Sequence, residues 1–254
     1  MREPAGKRFL DISVSGVGLA FASPVLAGIA GLIWLGDRKS PLYRGVRSGR
    51  DGKPFRTLKL RSMVQGAEGS GVDSTSTKDP RITPVGHFIR KHKLDEFTQL
   101  WNVLAGDMSL VGPRPNVPRE TALYTSAERE LLSVKPGITD FASIVFADEG
   151  EILSGHADPD IAYHQLIRPG KNRLGLFYVE HSSVSLDVHL ILLTVLGLFS
   201  RRKALIKTSA LLERNGADQE LVLLATRTTP LIPSPPPGAT EIVQTRQLLS
   251  DTEE

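Results

Sequence analysis

Residues 93–115 read KLDEFTQLWNVLAGDMSLVGPRP, and the reading of this stretch decides the rest of the chain. Leu94, Phe97, Trp101 and Leu104 recur at three- and four-residue steps and predict one apolar face of an amphipathic helix. Gly106 stands where a C-terminal cap would. Asp95 and Glu96 therefore fall in the first turn, where unpaired backbone N–H groups and the helix dipole favour ionised carboxylates. Acids there commonly do no more than stabilise a helix. Held ionised, they can also attack phosphorus or bind a divalent cation. The neighbours favour the second use. Arg81, Arg90, Lys91 and Lys93 lie just upstream, and Arg114 sits downstream between Pro113 and Pro115, which hold it at low entropic cost. Carboxylates flanked by fixed cations suit a phosphate ester.

The 254 residues allow one large or two small domains, with a net charge of +3 concentrated in the first two-thirds. A basic body can meet nucleic acid, anionic lipid or a phosphorylated substrate. The chain has no cysteine, which excludes disulfides and thiolate metal sites. Neither GxGxxG nor GxxxxGK[ST] is present, against a Rossmann or P-loop enzyme.

Phe9 to Gly36 is almost wholly apolar, too long for a typical signal-peptide core and long enough to span a bilayer. Ser23-Pro24 in its middle predicts a kink or break. Arg2, Lys7 and Arg8 precede the stretch, and Arg38, Lys39, Arg44 and Arg47 follow it. Both ends thus favour the cytoplasmic side, which a re-entrant hairpin satisfies and a simple span does not. A short strand is expected around residues 55–61, with Thr57, Lys59 and Arg61 on one face, and a flexible loop over 64–78. A basic helix is expected over 87–93, and an amphipathic one over 118–133. Residues 148–160 read as an acidic loop. The twelve-residue apolar run from Val188 to Phe199 is too short to span and is read as a core helix or one lying in the headgroup plane.

Asp-Glu followed by Asn-Val-Leu-x-Gly-Asp-Met-Ser-Leu-Val-Gly-Pro-Arg-Pro resembles the bacterial sugar transferases, the polyprenyl-phosphate sugar-phosphate transferases or monotopic phosphoglycosyl transferases. The likeness runs from about Lys7 to Phe199. It includes Lys7-Arg8-Phe9-Leu10-Asp11, a Lys-Arg-x-x-Asp opening whose cations the family sets against lipid phosphates. It also includes Phe55 through Met63, Asp79-Pro80-Arg81-Ile82-Thr83, and Lys135-Pro136-Gly137-Ile138-Thr139. Asp140 and Phe141 stand where the family usually has Gly and Trp, in the segment it associates with nucleotide-sugar binding.

The resemblance implies an α/β-type, helix-rich catalytic domain at residues 39–215, a re-entrant anchor at 1–38 with Lys7, Arg8, Ser23 and Pro24 as its marks, and interfacial amphipathic helices. Residues 216–254, rich in proline, read as a mostly disordered tail. The implied reaction moves a sugar 1-phosphate from a UDP-sugar to undecaprenyl phosphate on the inner leaflet of the bacterial cytoplasmic membrane, and releases UMP. Asp95 would be the nucleophile and Glu96 the ligand of a Mg²⁺ ion. Lys59, Arg61, Arg81, Arg90, Arg114 and Lys135 are the candidate substrate contacts, with Lys59 and Arg61 serving either substrate phosphate or local structure. No nucleic-acid partner is expected, and a homodimer is admissible. The rival reading is a membrane-associated basic scaffold binding anionic lipid or nucleic acid without catalysis, against which stand the acids among its cations.

Overall fold

The polar, glycine-punctuated segment after the apolar N-terminus folds back on itself. β1 (Leu42–Ser48) pairs antiparallel with β2 (Pro54–Leu60), Gly45 opposite Thr57. The computed structural model describes residues 4–67, 75 and 79–244. Most of the expected 64–78 loop lies outside them. Helices dominate, and the only other sheet described is a parallel pair, β3 (Ser109–Val111) with β4 (Gly137–Thr139).

Ala5–Asp37 forms one helix, α1, with Pro24 inside it. Proline removes a backbone donor there, and the Ser23 hydroxyl donates to the Leu19 carbonyl at 2.5 Å. Helix α1 is long and apolar enough to cross a membrane by length and composition. Yet both of its ends are bound to the same globular body. Near the start, Lys7 Nζ reaches Asp187 at 2.7 Å, the Tyr178 hydroxyl at 3.0 Å and the Val111 carbonyl at 2.9 Å. Arg8 donates to the Val103 and Leu104 carbonyls. At the far end Asp37 accepts two bonds from Arg61, at 2.6 and 2.7 Å. These bonds compete with the expected use of Lys7 and Arg8 against lipid phosphates. All three ammonium protons of Lys7 are engaged inside the protein, and Arg8 caps helix carbonyls.

Pro84–Lys91 forms α2, whose Thr83 N-cap accepts from the Gly86 amide. The expected single helix over 94–104 is instead a 3₁₀ segment, Leu94–Gln99, entered through Lys93 in the left-handed region, followed by α3 (Leu100–Ala105). Gly106 ends α3 at φ 94°, as its position predicted. Only half of the apolar face expected here is covered: Leu94 and Leu104 pack against the cores. Asp95, Thr98, Gln99, Asn102 and Val103 are buried, while Phe97 and Trp101 are exposed. The expected helix over 118–133 is also interrupted, into α4 (Pro118–Ala122) and a 3₁₀ turn, Glu128–Ser133.

α5 (Phe141–Val145) is capped by Asp140, whose carboxylate accepts from the Ser143 amide and hydroxyl at 2.7 Å. Asp140 and Phe141 are buried in the body, so the two family departures are absorbed by a helix cap and the core. The acidic segment expected as a loop carries α6 (Glu149–Leu153) and α7 (Pro159–Ala162). A π turn, Tyr163–Ile167, leads into α8 (Arg168–His181), followed by α9 (Val184–Phe199) and α10 (Arg201–Arg214). Helix α9 bears out the core-helix reading of its apolar run on one face. Leu186, Leu190 and Leu193 enter the core, and Leu192, Leu198 and Phe199 stay exposed.

The disordered tail expected from residue 216 is corrected over its first part. α11 (Gln219–Thr226) forms there, capped by Asp218, and buries Leu221 and Ala225 against the core. The proline segment beyond it is tied down, with Ser234 donating to Gln165 O and Thr125 to Pro237 O. Residues 245–254 lie outside the described part.

Two apolar cores result. The larger joins Val103, Met108 and Val111 to Phe141, Leu174, Tyr178, Leu190 and Leu212. The smaller sits under the second half of α1, where Leu26, Ile29 and Ile33 meet Leu60 and Ile89.

Candidate active site

Asn102 sets the site's floor. Its amide nitrogen donates to Arg56 O and its oxygen accepts from Leu58 N, both at 2.8 Å, so α3 is stapled to β2. Thr98, also buried, donates to Leu58 O at 3.0 Å. These bonds bring Lys59, next along the strand, to 3.9 Å from Glu96.

Arg114 approaches from the other side and pairs with the same Glu96 oxygen. Its loop is set by close backbone contact. Gly112 lies against Gly137 so tightly that a Cβ on Gly137 would come within 2.1 Å of the Gly112 nitrogen. The Gly-Pro-Arg-Pro and Lys-Pro-Gly-Ile-Thr segments are thus two halves of one device that carries Arg114.

Asp95, Glu96, Lys59, Arg90 and Arg114 line one cleft of about 590 Å³. Two residues that the sequence reading missed complete it. Lys171 on α8 pairs at 2.9 Å with Glu149 on α6, and both line the cleft. No local pattern marks either, since they come from distant elements and meet only in the fold.

The two central carboxylates differ. Burial pushes the Asp95 carboxyl up, against the pull of Lys59. Burial acts on Glu96 as well, but Arg114 and Lys59 outweigh it and hold that carboxyl at about 2. Burial also pulls the Lys59 ammonium down, assisted by Arg114. No described residue hydrogen-bonds to the Asp95 carboxylate, so its oxygens are available to an incoming group. Adjacent carboxylates whose environments drive their proton affinities apart are suited to different roles.

Three expected substrate contacts are placed elsewhere. Arg61 is held by Asp37 and Ser40 O. Arg81 grips Asp79 two residues before it, at 2.6 Å, and donates to Ala67 O. The acid-x-arginine spacing was a legible sign of that pairing. Lys135 lies near Gly106 and Arg8, off the cleft, where its neighbours Pro136 and Gly137 support the Arg114 loop.

A family model described as bacterial sugar transferase matches residues 2–201. The chain is 47% identical over 112 residues to a Bacillus subtilis (strain 168) protein provisionally named undecaprenyl-phosphate N-acetylgalactosaminyl 1-phosphate transferase, a match covering 44% of this chain and 63% of that one. It is 36% identical over 202 residues to the UDP-glucose:undecaprenyl-phosphate glucose-1-phosphate transferase of Klebsiella pneumoniae, covering 78% and 41% of the two chains. An Aeromonas hydrophila UDP-N-acetylgalactosamine-undecaprenyl-phosphate N-acetylgalactosaminephosphotransferase is 31% identical over 200 residues, covering 74% and 42%. The chain therefore spans between 41% and 63% of the length of these relatives.

Proposed function

Because the chain belongs to the bacterial sugar transferase family, we propose that it transfers a sugar 1-phosphate from a UDP-sugar to undecaprenyl phosphate at the cytoplasmic face of the inner membrane, releasing UMP and beginning a surface glycan. The observation that carries this reading is the Asp95–Glu96 pair on the floor of a cationic cleft, one carboxyl pushed up and its neighbour held down.

Lys59, Arg90, Arg114 and Lys171 bind the diphosphate by charge and hydrogen bonding. Asp95 is the more basic carboxylate, and so the better nucleophile. An Asp95 oxygen bonds to the sugar-side phosphorus as the bond from that phosphorus to the bridging oxygen breaks, and UMP leaves with the electron pair. A phosphate oxygen of the polyprenyl acceptor then attacks the same phosphorus and releases Asp95. No proton need move in either step.

A Mg²⁺ ion fits the donor set. No group of three His, Cys, Asp or Glu among the described residues could cage a metal alone, but Mg²⁺ is commonly held by one or two carboxylates plus substrate phosphates and water. Glu96 would hold it. When bound, it would neutralise charge on the diphosphate.

The anchoring of α1 supports a helix that returns to its own side of the membrane. At about 1.5 Å per residue its 33 residues measure about 50 Å, more than a ~30 Å hydrocarbon core, yet both ends bond to the catalytic body. Phe9 and Phe21 on α1, Trp101 on α3 and Phe199 on α9 are exposed apolar groups suited to lipid.

Detergent-solubilised protein should release UMP when given a UDP-sugar, Mg²⁺ and undecaprenyl phosphate, and EDTA should stop it. Absence of UMP release across a panel of UDP-sugars rejects the reading. Persistence in EDTA rejects the metal role of Glu96.

A further inference from the structure

A smaller chamber of about 210 Å³ adjoins the cleft and shares Lys59, Arg90, Arg114 and Lys171 with it. Its volume lies below the ~300 Å³ lower end of pockets for whole drug-sized ligands, so it suits one ring of a nucleotide sugar. One wall carries Glu120, on α4. A carboxylate there repels phosphate. Glu149 and Arg47 also line the chamber, and Glu120, an acceptor only when ionised, is open to a neutral donor there.

Its orientation is set by a buried relay. Arg168 can only donate, and its Nη1 lies 3.2 Å from His164 Nδ1. Nδ1 must therefore accept, which places the ring proton on Nε2. That Nε2 is 3.5 Å from Glu120 Oε1. Arg168 is itself locked by Glu128, at 3.0 and 2.6 Å, and Asn172 donates to the same carboxylate at 2.6 Å. His164 and Glu128 are only 1% and 0% exposed. Removing one member of such a buried network leaves another charge unpaired, so the network holds one geometry firmly. Burial is the largest influence on Glu120 and opposes its ionisation, but the His164 bond together with the charges of His164, Arg168 and Arg119 keeps the carboxyl below its usual range. His164 contacts Glu120 from the core side; no other described side chain hydrogen-bonds to this carboxylate.

We infer that Glu120 is a specificity-determining residue that accepts hydrogen bonds from hydroxyl groups on the uncharged ring in this chamber, with His164 as its positioning residue. The inference rests on the nucleotide-sugar reading above. Hydroxyls are the fitting chemistry, because an oriented carboxylate accepts from neighbouring O–H groups while the shared cations keep the diphosphate at the entrance. The ring is either the transferred sugar or the ribose.

Wild-type turnover is the control. If no UDP-sugar yields UMP, the reading fails and the inference falls with it. Given turnover, Glu120→Gln should raise KM for the UDP-sugar about ten- to hundredfold, as expected for loss of hydrogen bonds to a charged group. His164→Leu should do the same more weakly, and His164→Gln, which keeps a donor, should partly restore KM. Glu120→Asp, which keeps the charge but withdraws it, covers the case in which the amide variant does not fold. Deoxy analogues separate the two rings. If wild type prefers UMP to 2′-deoxy-UMP as an inhibitor and Glu120→Gln does not, the ribose is the ligand. If instead wild type prefers its UDP-sugar to ring-deoxy analogues and the variant does not, the sugar is. Equal weakening of every ligand, with both discriminations intact, overturns the inference and leaves Glu120 a purely electrostatic group.

Discussion

At the scale of single residues, Asp95 is a group that works against the fold it belongs to. Its folded carboxyl holds a proton more tightly than an unfolded one near 3.8, so stability falls as pH rises from that value through the raised one. Once ionised, the buried Asp95 is destabilising. Asp95→Asn should therefore abolish turnover, by at least about a thousandfold, without lowering Tm. Intact-mass measurement of wild type with UDP-sugar alone should show a sugar-phosphate adduct that the variant lacks. A variant that is still active removes Asp95 from the mechanism. The pH profile extends the same argument. Activity should fall on the acid side as Asp95 takes up its proton, above the range of an ordinary aspartate, while Glu96 remains ionised down to about 2. On the alkaline side the loss should follow Lys59, whose ammonium titrates below its usual 10.5. Lys59→Arg cannot deprotonate in this range, so it should lose the alkaline limb and keep the acid one. An unchanged alkaline limb would assign it to another group.

At the scale of elements, sequence pattern reveals local motifs and misses their partners. Asp95, Glu96, Lys59, Arg90 and Arg114 were legible because they lie within motifs of fixed spacing. Lys171 and Glu149 were not, because only the packing of α8 against α5 and the ion pair between the two residues bring them to the cleft. Of the two readings of Arg61, the structure has the local one, a pair with Asp37 that spacing did not reveal because Asp37 ends a different element, 24 residues upstream. The apolar periodicity was only half a core signal: Leu94 and Leu104 pack against the two cores while Phe97 and Trp101 point outward, since period alone cannot tell which positions are covered. Lys135-Pro136-Gly137 acts through its backbone, which no residue-type argument anticipates. Gly137→Ala tests that role. The added methyl meets the Gly112 backbone and cannot be accommodated by a rotamer change, so it should cost about 1–3 kcal/mol and several degrees of Tm. Activity should fall further than stability explains, because the Arg114 loop must move. Normal activity with a lowered Tm would separate the strand pair from the site.

At the scale of the whole molecule, the governing question is where α1 goes. The chain has no cysteine, so a single introduced thiol reports its own position cleanly. Pro4→Cys precedes the Lys7–Asp187 pair, and Ser40→Cys follows the Asp37–Arg61 pair. Since both pairs bind the catalytic body, a membrane-impermeant maleimide should label both thiols from the cytoplasmic side of inverted vesicles and neither from the opposite side. A helix that crosses the bilayer places them on opposite faces, and that labelling pattern would reject the re-entrant anchor. Ser23→Ala combined with Pro24→Ala restores an internal backbone donor worth up to about 3 kcal/mol to a straight helix and removes the Ser23–Leu19 bond. The end pairs oppose straightening, because Lys7 would have to leave Asp187 buried and uncompensated. The double substitution alone should therefore shift only part of the population to labelling at residue 4 from the far side. Adding Lys7→Ala together with Asp187→Asn, which removes both charges of that pair, should increase the far-side fraction and lower UMP release in proportion. Full one-sided labelling in the quadruple variant would show that the start of α1 is held by its remaining contacts, the Arg8 bonds to Val103 and Leu104 among them, rather than by the Lys7–Asp187 pair.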